Sequence, residues 1–246
     1  MPLQNDKVLI TGTKSGLGKY LSKQFTECFC LNRENKQDVI DKALQIQLIV
    51  HCAFNTKQDA NTYQLLKDNI FLTEQLCNLS LSRFFDNKFV YISSVDVHDK
   101  KKTNYNTMKL YAESIVKNHC NNYLILRCPA LLGADMRKNN FLKIVEDKNP
   151  KLSLTKESSF NFITHHDILR IIRYAYNNNI SGTYDVVSHE NITLEQVASM
   201  CKKSCSFGEY TYNTPNVTNQ KLLADFDFMN KSSVQVVQKF IKEHYG

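Results

Sequence analysis

The chain has 246 residues, a length that suits one large domain or a domain with a small appendage. A hydrophobic content of 42% and a charged content of 22% are ordinary for a soluble globular protein, and no apolar run reaches the roughly 18 residues of a membrane-spanning helix. The formal net charge of +7 is compatible with an anionic ligand such as a nucleotide, although a solvated lysine-rich surface explains it more simply.

Local patterns argue against several other classes of partner. The segment Met1–Lys7 leads directly into a strand-like run without the apolar core of a signal peptide, which predicts a cytoplasmic protein with no membrane association. The spacings Cys28-x-Cys30 and Cys201-x3-Cys205 lack the matching ligands of a zinc site, so we expect no metal. The basic run Lys100–Lys102 has no interleaved aromatic residues and does not indicate nucleic-acid binding.

The first strong signal is a glycine-rich turn between a strand and a helix. Lys7–Thr11 is a short apolar run with β-branched residues, and the helical-looking segment Lys19–Glu27 follows the turn. Three of the seven glycines in the chain fall in this turn, where they let the backbone approach a phosphate closely while the helix start supplies free N–H groups. We therefore expect a dinucleotide pyrophosphate to bind the residues Gly12, Thr13, Lys14, Ser15, Gly16, Leu17 and Gly18.

The end of the second predicted strand, Cys28–Asn32, bears on which dinucleotide binds. It lies about 20 residues beyond the first glycine of the turn, where dinucleotide folds contact the adenosine ribose. An acidic residue there would accept hydrogen bonds from the ribose hydroxyls, but the chain has Asn32 and Arg33, with Glu34 next. Arg33 suits a 2′-phosphate and favours NADP over NAD; the alternative is a surface arginine that contacts no ligand.

Strands and helices then alternate as far as residue 128. Further strands are predicted at Leu48–Phe54, Phe89–Ser94 and Tyr123–Arg127, separated by helices at Val39–Gln45, at Asp59–Leu81 and around Tyr105. This order implies right-handed βαβ units and an α/β fold with a doubly wound parallel sheet of the Rossmann type. His51 lies inside an apolar strand and is more simply a hydrogen-bonded core histidine than a ligand.

The pattern weakens after Pro129. Helices are predicted at Arg137–Asp147, Asp167–Asn177, Thr193–Lys202 and Ser232–His244, with strands at Phe160–Thr164 and Gly182–Val187. Thr193 and Gln196 form a capping box at the start of one of these helices. We divide the chain into a dinucleotide-binding core at residues 1–130 and a smaller C-terminal substrate-binding lobe at residues 131–246, some of whose segments return to the main sheet.

Tyr105 and Lys109 form a candidate proton-transfer pair. Residues four positions apart lie one turn apart on the same face of a helix. A lysine ammonium beside a phenol favours the phenolate, so we expect the pKa of Tyr105 to fall from about 10 toward neutral pH. Such a tyrosine can exchange a proton with a carbinol or carbonyl oxygen. Both residue types are common, and the pair gains meaning only from its surroundings.

Eight segments carry motif-like residues in a fixed order along the chain. They are Thr11–Gly18, Cys52–Phe54, Asn69, Tyr91–His98, Tyr105–Glu113, Leu126–Gly133, Phe162–Ile168 and Gly182–Leu194. Together they resemble the short-chain dehydrogenase/reductase superfamily, and the later segments resemble its extended branch, the NAD(P)-dependent epimerase, dehydratase and reductase enzymes of nucleotide sugars. The glycine spacing instead resembles the single-domain branch, and Cys128 departs from the Arg-Pro motif of the extended branch.

The resemblance implies roles for individual residues. Tyr105 and Lys109 match the catalytic pair of the family, with Lys109 also bonding the nicotinamide ribose, and Ser94 matches the catalytic hydroxyl. Beyond the glycine turn, Asn32 and Arg33, the implied cofactor contacts are Cys52, Ala53, Phe54, Asn69, Ser93, Tyr105, Lys109, Pro129, Leu131 and Leu132.

Three functions follow as hypotheses. The favoured one is an NADP-dependent reductase of a keto group on a nucleotide-linked sugar in surface polysaccharide synthesis, because the substrate lobe is small and Arg33 suits NADP. The second is an epimerase or dehydratase that retains NAD; a dehydratase is disfavoured because Asp96 is a single carboxylate with no Asp-Glu pair after it. The third is a non-catalytic NADP-binding sensor, which the set of Ser94, Tyr105 and Lys109 argues against.

Weaker signals concern the substrate and a partner subunit. Candidate substrate contacts are Ser94, Asp96, Arg137, Asn139 and Asn140, with Lys138 and Lys143 as further candidates for a phosphate. A solvated helix face is the alternative explanation for the basic residues. By analogy with the family, the helix at 59–81 and the helix of Tyr105 pack against their copies in a homodimer, through the residues Phe71, Leu72, Leu110 and Tyr111.

Overall fold

A computed structural model describes residues 7–32, 34–35, 46–57, 59–80 and 87–246. Its strands are β1 Lys7–Thr11, β2 Glu27–Leu31, β3 Leu48–His51, β4 Lys88–Ser94, β5 Tyr123–Cys128, β6 Ala130–Leu132, β7 Ser159–Phe160, β8 Phe162–Thr164, β9 Gly182–Asp185 and β10 Ile192–Thr193. Its α-helices are α1 Gly16–Ser22, α2 Thr62–Leu66, α3 Leu72–Ser80, α4 Asn104–His119, α5 Asn140–Glu146, α6 His165–Asn177, α7 Leu194–Met200, α8 Gln220–Asp225 and α9 Ser233–Tyr245. A π-helical segment, Lys67–Phe71, joins α2 to α3.

The main sheet has six strands in the order β2-β1-β3-β4-β5-β9, and all its neighbouring strands are parallel. Its central strands are buried along their whole length, as the continuous apolar runs of the sequence predict for a parallel sheet covered on both faces. The α/β, doubly wound fold expected from the sequence is confirmed. The carboxyl ends of β1, β3 and β4 meet at one edge of the sheet, which is where ligands bind in such folds.

Alternate residues of each strand face opposite layers of helices. On one face, Val8 and Ile10 of β1 belong to a cluster with residues of α1 and α6. On the other face, Leu9 and Ile49 pack with residues of α3 and α4. Helix α6 and strand β9 come from the second half of the chain, so this half contributes both a strand and a covering helix to the main sheet. The division of roles at residue 130 stays a prediction.

Several element boundaries differ from the predicted ones. Helix α1 ends at Ser22, five residues before the predicted end, because Glu27 already pairs with Lys7 as the first residue of β2. The helix predicted at Asp59–Leu81 begins at Thr62 and contains the π-helical segment. The predicted helix Val39–Gln45 lies outside the described residues.

Capping boxes fix the starts of four helices. Thr103 and Asn106 cap α4, which places Tyr105 in its first turn, and the predicted box of Thr193 and Gln196 caps α7. Similar boxes start α6 and α9. Each box satisfies backbone N–H groups that the first helical turn cannot pair internally.

The C-terminal lobe has its own apolar cluster. It is formed by residues of α5, α7 and α9 with the short strand pairs β6–β8 and β7–β10. A segment at 206–214 runs beside residues 151–159 and bonds to them through the backbone. In the part of the chain that the structure describes, no helix is both long and apolar enough to cross a membrane.

Candidate active site

A cleft of about 1420 Å³ opens at the carboxyl edge of the main sheet. It brings together most of the residues that the sequence singled out, from both halves of the chain. Those that line it are Gly12, Thr13, Lys14, Ser15, Gly16, Leu17, Gly18, Asn32, Cys52, Ala53, Phe54, Ser93, Ser94, Asp96, Tyr105, Lys109, Pro129, Leu131, Arg137, Lys138 and Asn139.

Five predicted site residues are placed elsewhere or are not described. The phosphate candidate Lys143 lies within α5 and does not line the cleft. Asn69 is buried behind the cleft wall, and Leu132 belongs to the core of the C-terminal lobe. Asn140 is the first residue of α5, next to the Asn139 cap rather than on the cleft lining. Arg33, on which the NADP preference rests, lies outside the described residues.

The glycine turn is shaped for close backbone approach. Gly12 has a φ of +73°, and a Cβ added there would lie 2.9 Å from the backbone nitrogen of Ala53. A Cβ at Gly18 would lie 2.4 Å from the carbonyl oxygen of Gly12. Neither position accepts a side chain. A Cβ at Gly16 would meet nothing within 4 Å, but its φ of +58° also favours glycine. Strand, turn and helix are therefore packed as a dinucleotide cradle requires, and the residues present fit a bound NAD or NADP.

A loop of the C-terminal half, residues 133–137, is hydrogen-bonded to this turn. The backbone N–H of Gly16 donates to the carbonyl oxygen of Asp135 over 2.7 Å. The Asp135 carboxylate pairs with Lys19 at 2.8 Å and with Lys23 at 2.9 Å, and these lysines lower its pKa to about 2. The Arg137 guanidinium donates to the Ser15 hydroxyl over 3.1 Å. Arg137 thus lies at the glycine turn, on the cofactor side of the cleft.

One wall of the cleft is held by a buried hydrogen-bond chain. Thr11 accepts a bond from the backbone N–H of Ala53 and bonds to Nδ1 of His51 over 2.8 Å. Because the Thr73 hydroxyl donates to the Asn69 carbonyl oxygen, it accepts from Nε2–H of His51 over 3.0 Å, and Nδ1 then accepts from Thr11. Burial lowers the pKa of His51 to about 3, which keeps the ring neutral. His51 is a hydrogen-bonded core histidine, as expected.

Lys109 is a buried residue of the cleft floor. Its ammonium donates to the carbonyl oxygen of Ile92 over 2.7 Å and lies over the Phe54 ring, 4.1 Å from the centroid. Burial lowers its pKa to about 7, although nearby groups that include Cys128 and Glu113 partly oppose this shift. Burial therefore disfavours the charged form of this lysine.

The pKa of Tyr105 shifts in the direction opposite to the one expected from the sequence. Burial raises the pKa of Tyr105 to about 12, while a hydrogen bond with Ser94 acts in the opposite direction. The expected fall took account of the charge of Lys109 alone, whereas the loss of solvent around the phenol has the larger effect. The phenol ring also contacts Phe54 edge-on, with centroids 5.3 Å apart. At neutral pH Tyr105 is a phenol that holds its proton.

Ser94 is linked to a residue that the sequence did not single out. Its hydroxyl donates to one carboxylate oxygen of Asp96 over 3.1 Å. The other oxygen accepts a bond from the Tyr212 hydroxyl over 2.8 Å. Tyr212 also lines the cleft, although 116 residues separate it from Asp96. No sequence pattern joins two such distant positions, and only the fold could reveal this contact.

Ser93 faces away from this group, into a buried ion-pair network. It donates to Glu113 over 2.7 Å, and Glu113 receives two further bonds from the Arg127 guanidinium at 2.9 and 2.7 Å. These bonds lower the pKa of Glu113 against the effect of its burial. The network fixes β4 and β5 to α4 immediately behind the catalytic candidates. Among the described residues, no group of three His, Cys, Asp or Glu side chains is arranged to hold a metal ion.

The fold and the cleft define a dinucleotide-binding protein of the Rossmann class with a Ser, Tyr and Lys set beside the cradle. A family model described as the NAD dependent epimerase/dehydratase family matches residues 4–186. The chain belongs to this family, as its motifs had indicated. No curated protein matches the sequence significantly.

Solved structures with the same fold include both reductases and epimerases. The dTDP-4-dehydrorhamnose reductase of Yersinia enterocolitica is 19% identical, with a TM-score of 0.78 over 97% of this chain and 99% of that one. The corresponding enzyme of Bacillus anthracis, solved with NADP, is 18% identical, with a TM-score of 0.79 over 97% and 98%. The UDP-glucuronic acid 4-epimerase of Bacillus cereus, solved with UDP-glucuronic acid and NAD, is 17% identical, with a TM-score of 0.74 over 97% and 100%. At these identities the likeness shows the fold.

Proposed function

We propose that the protein is an NADP-dependent oxidoreductase that reduces a keto group of a nucleotide-linked sugar, in the synthesis of a surface polysaccharide. The observation that carries this proposal is that Ser94, Tyr105 and Lys109 line one cleft together with the glycine turn. A phenol with a pKa of about 12 beside a dinucleotide cradle suits proton donation to a carbonyl oxygen better than proton abstraction from a hydroxyl.

The residues of the cleft take complementary parts in this proposal. The turn from Gly12 to Gly18 would hold the pyrophosphate, and Lys109 would bond the nicotinamide ribose from the cleft floor. When bound, the reduced dinucleotide supplies the hydride that reduces the carbonyl carbon. Ser94 would bond the carbonyl oxygen and polarise it, and Tyr105 would give that oxygen its proton.

Arg137 has a different place in this proposal from the one that the sequence suggested. Its bond to Ser15 puts the guanidinium beside the glycine turn, so a phosphate of the cofactor is the nearer candidate ligand. Asn139 and Lys138 follow this loop and also line the cleft, and they would face the part of it that remains for the substrate. Asp96 lies there as well, beside Ser94.

The deciding experiment is turnover of a panel of dTDP-, UDP- and GDP-linked 4-keto sugars with NADPH, followed by loss of NADPH absorbance. Tyr105→Phe is expected to lower kcat by about 10²- to 10⁴-fold, because the general acid is lost, while NADPH binding and Tm stay close to the wild type. Tyr111→Phe, on the exposed face of the same helix, is the matched control and should retain full activity. Unchanged turnover in Tyr105→Phe would refute the assignment.

The same panel separates the alternatives. An epimerase, which the structural likeness to 4-epimerases also favours, would interconvert sugar nucleotides with no net NADPH consumption and would retain NAD through dialysis. A sensor would bind NADPH and turn over nothing. The NADP preference is tested by measuring the dissociation constants of NADPH and NADH. The ratio of the NADH constant to the NADPH constant should fall in Arg33→Ala. An unchanged ratio would exclude Arg33 as the source of the preference.

A further inference from the structure

A second cavity, of about 790 Å³, adjoins the cofactor cleft. It is lined by residues of α1, α6 and α9 and by the start of the loop at residues 133–137. Its volume is that of a site for a small molecule. The proposed reduction gives this cavity no role.

The wall between the cavity and the cleft is formed by this loop and by His165. Gly133 and Ala134 line the cavity, whereas Met136 and Arg137 of the same loop line the cleft. His165, the first residue of α6, lines both. A ligand in the cavity would therefore contact the back of the wall that faces the dinucleotide site.

His165 is a buried polar residue that lacks a bond at one ring nitrogen. The residue is 2% exposed, and its ring packs against Gly133, where a Cβ would overlap the imidazole. Among the described residues, Nδ1 has no hydrogen-bond partner. Burial lowers the pKa of His165 to about 4, so the neutral ring has one N–H donor and one acceptor nitrogen. Buried polar side chains in native proteins are nearly always paired, so this ring indicates a ligand at the wall.

The charged side chains of the cavity favour an anion. Arg170, Lys231 and Lys239 line it, together with the carboxylates of Asp167 and Glu243. Asp167 already bonds to Lys231 and caps its own helix, and Glu243 lies 3.8 Å from Lys239. The cations therefore exceed the carboxylates, and the excess attracts an anionic ligand.

Arg170 is oriented to receive that anion. In the part of the chain that the structure describes it forms no ion pair, and its guanidinium lies over the Phe228 ring, 4.2 Å from the centroid. Stacking fixes the plane of a guanidinium while its N–H groups can bond in pairs to phosphate oxygens. Leu132, Val236 and Phe240 supply apolar surface in the same cavity for the rest of a ligand.

We propose that this cavity binds a phosphate-bearing small molecule, with its phosphate on Arg170 and Lys239 and another part against His165, and that its binding tightens the dinucleotide in the neighbouring cleft. The inference needs a bound dinucleotide, but it does not need the proposed reduction.

The loop at residues 133–137 provides the connection between the two sites. Its Asp135 carbonyl oxygen accepts from the backbone N–H of Gly16 over 2.7 Å, and its Arg137 donates to Ser15 over 3.1 Å. A ligand against Gly133 restrains the loop and, through these bonds, the glycine turn. A restrained turn loses less conformational freedom when the dinucleotide binds, so the dinucleotide binds more tightly.

The first test is calorimetric titration of the protein saturated with NADPH, so that the glycine turn is already occupied. Inorganic phosphate and AMP are the two titrants, and AMP should bind more tightly because its ring adds apolar contact. Arg170→Met should weaken both by about tenfold or more, because it removes the charged donor. Lys242→Met, on α9 but outside the cavity lining, is the matched control and should bind both titrants like the wild type.

The second test locates the ligand without altering the cavity. In NADPH-loaded protein labelled with ¹⁵N at its seven histidines, the ring signals of His165 should move as AMP is added. Comparison with His165→Gln assigns them. The signals of His119, which lines neither the cavity nor the cleft, should stay in place.

The third test measures the coupling. Without phosphate, NADPH should bind equally to the wild type and to Arg170→Met. At saturating phosphate the wild type should bind NADPH about threefold or more tightly than the variant does. Competition of phosphate for the glycine turn affects both proteins alike and cancels in this comparison.

Several results would overturn the inference. Loaded wild type that binds neither titrant, or binding that Arg170→Met leaves intact, would refute the site. Binding lost in Arg137→Met but kept in Arg170→Met would place the anion in the cleft. Equal NADPH affinities at saturating phosphate would refute the coupling. Absence of turnover on the sugar panel would refute the proposed reduction alone, because none of these titrations depends on it.

Discussion

Lys109 has its amino group in a buried environment that disfavours the charged form. It is 4% exposed, and its contacts are the Ile92 carbonyl oxygen and the rings of Phe54 and Tyr91. The carbonyl and the ring faces attract a cation, yet burial dominates and lowers the pKa to about 7. Lys109 therefore destabilises the nucleotide-free fold, at a position in the cleft where it can bond to a ligand.

Lys109→Met is expected to stabilise the nucleotide-free protein at pH 6 while abolishing turnover. The lysine pKa is about 10.5 in the unfolded chain and about 7 in the fold, so the unfolded chain binds more protons between these values. The burial penalty is fully present below pH 7 and disappears as the pH rises toward 10.5. A pKa that falls from 10.5 to about 7 corresponds to a full penalty of about 5 kcal/mol.

The measurement is Tm at pH 6 and pH 9 for the wild type and the variant. The variant's advantage should be several degrees at pH 6 and smaller at pH 9. Lys117→Met, on the half-exposed part of the same helix, is the control and should show no such pH-dependent gain. An advantage that grows with pH would contradict the assignment of the penalty to Lys109.

At the scale of residues, the sequence predicts how functional residues are spaced along the chain, but it does not predict how deeply the fold buries them. The four-residue separation of Tyr105 and Lys109 and the glycine positions are local facts, and the structure places all of them on one cleft. The pKa of Tyr105 moves opposite to the expectation, because burial depends on residues distant in sequence. Tyr212 was missed for the same reason, since its contact with Asp96 exists only in the folded chain.

At the scale of elements, the helix that passes from α2 to α3 is widened where it meets the cleft wall. The π-helical segment contains Asn69, whose buried side chain accepts from the backbone N–H of Asn55 at 2.6 Å and donates to its carbonyl oxygen at 3.1 Å. Asn69 therefore acts on the cleft indirectly, by fixing the loop at residues 52–57. Its carbonyl oxygen also receives the Thr73 hydroxyl that ends the His51 chain.

Asn69→Ala is expected to destabilise the protein by about 1–3 kcal/mol, because it leaves a backbone donor and acceptor of Asn55 without partners. It should also weaken NADPH binding, since residues 52–57 line the cleft. Thermal unfolding and NADPH fluorescence titration measure the two effects. Asn78→Ala, at an exposed position of α3, is the matched control and should stay within about 0.5 kcal/mol of the wild type. Normal NADPH affinity in a destabilised Asn69→Ala would show that the loop does not depend on this anchor.

The apolar periodicity of the sequence predicts whether a segment is a helix or a strand. Where that element ends depends on how strands pair in the fold. The five strands before residue 129 and the helix of Tyr105 lie where the apolar patterns place them. The early end of α1 follows from the start of β2, which no local signal marks. The π-helical segment could not be predicted from the sequence either, because its residues follow ordinary α-helical periodicity. The capping box at Thr193 was visible because both of its partners are neighbours in sequence.

At the scale of the whole molecule, the two halves of the chain share one sheet. Ile168 and Ile172 of α6 belong to the same apolar cluster as Val8 and Val90 of the first half. The loop at residues 133–137 and the contact of Tyr212 with Asp96 then close the cleft from the second side. The sequence predicted that segments return to the main sheet, but their positions came from the strand pairing of β5 with β9.

The outer layer of α3 and α4 is the surface that we propose for a homodimer. These helices pack side by side, and the aromatic side chains of Phe71 and Tyr111 are 44% and 57% exposed. Leu72, also predicted for this surface, lines the cleft instead. Large exposed aromatic residues on neighbouring helices are typical of interfaces between protein chains.

The wild type is therefore expected to have twice the chain mass of 28.5 kDa, that is 57 kDa, when measured by light scattering during gel filtration. Tyr111→Glu should shift it to the monomer mass, because the substitution brings two carboxylates close together in a two-fold interface without touching the core. Tyr210→Glu is the matched control, since Tyr210 is 75% exposed on the C-terminal lobe, and it should leave the mass unchanged. A wild type that elutes as a monomer at tens of micromolar, or a Tyr111→Glu variant that remains a dimer, would place any interface elsewhere.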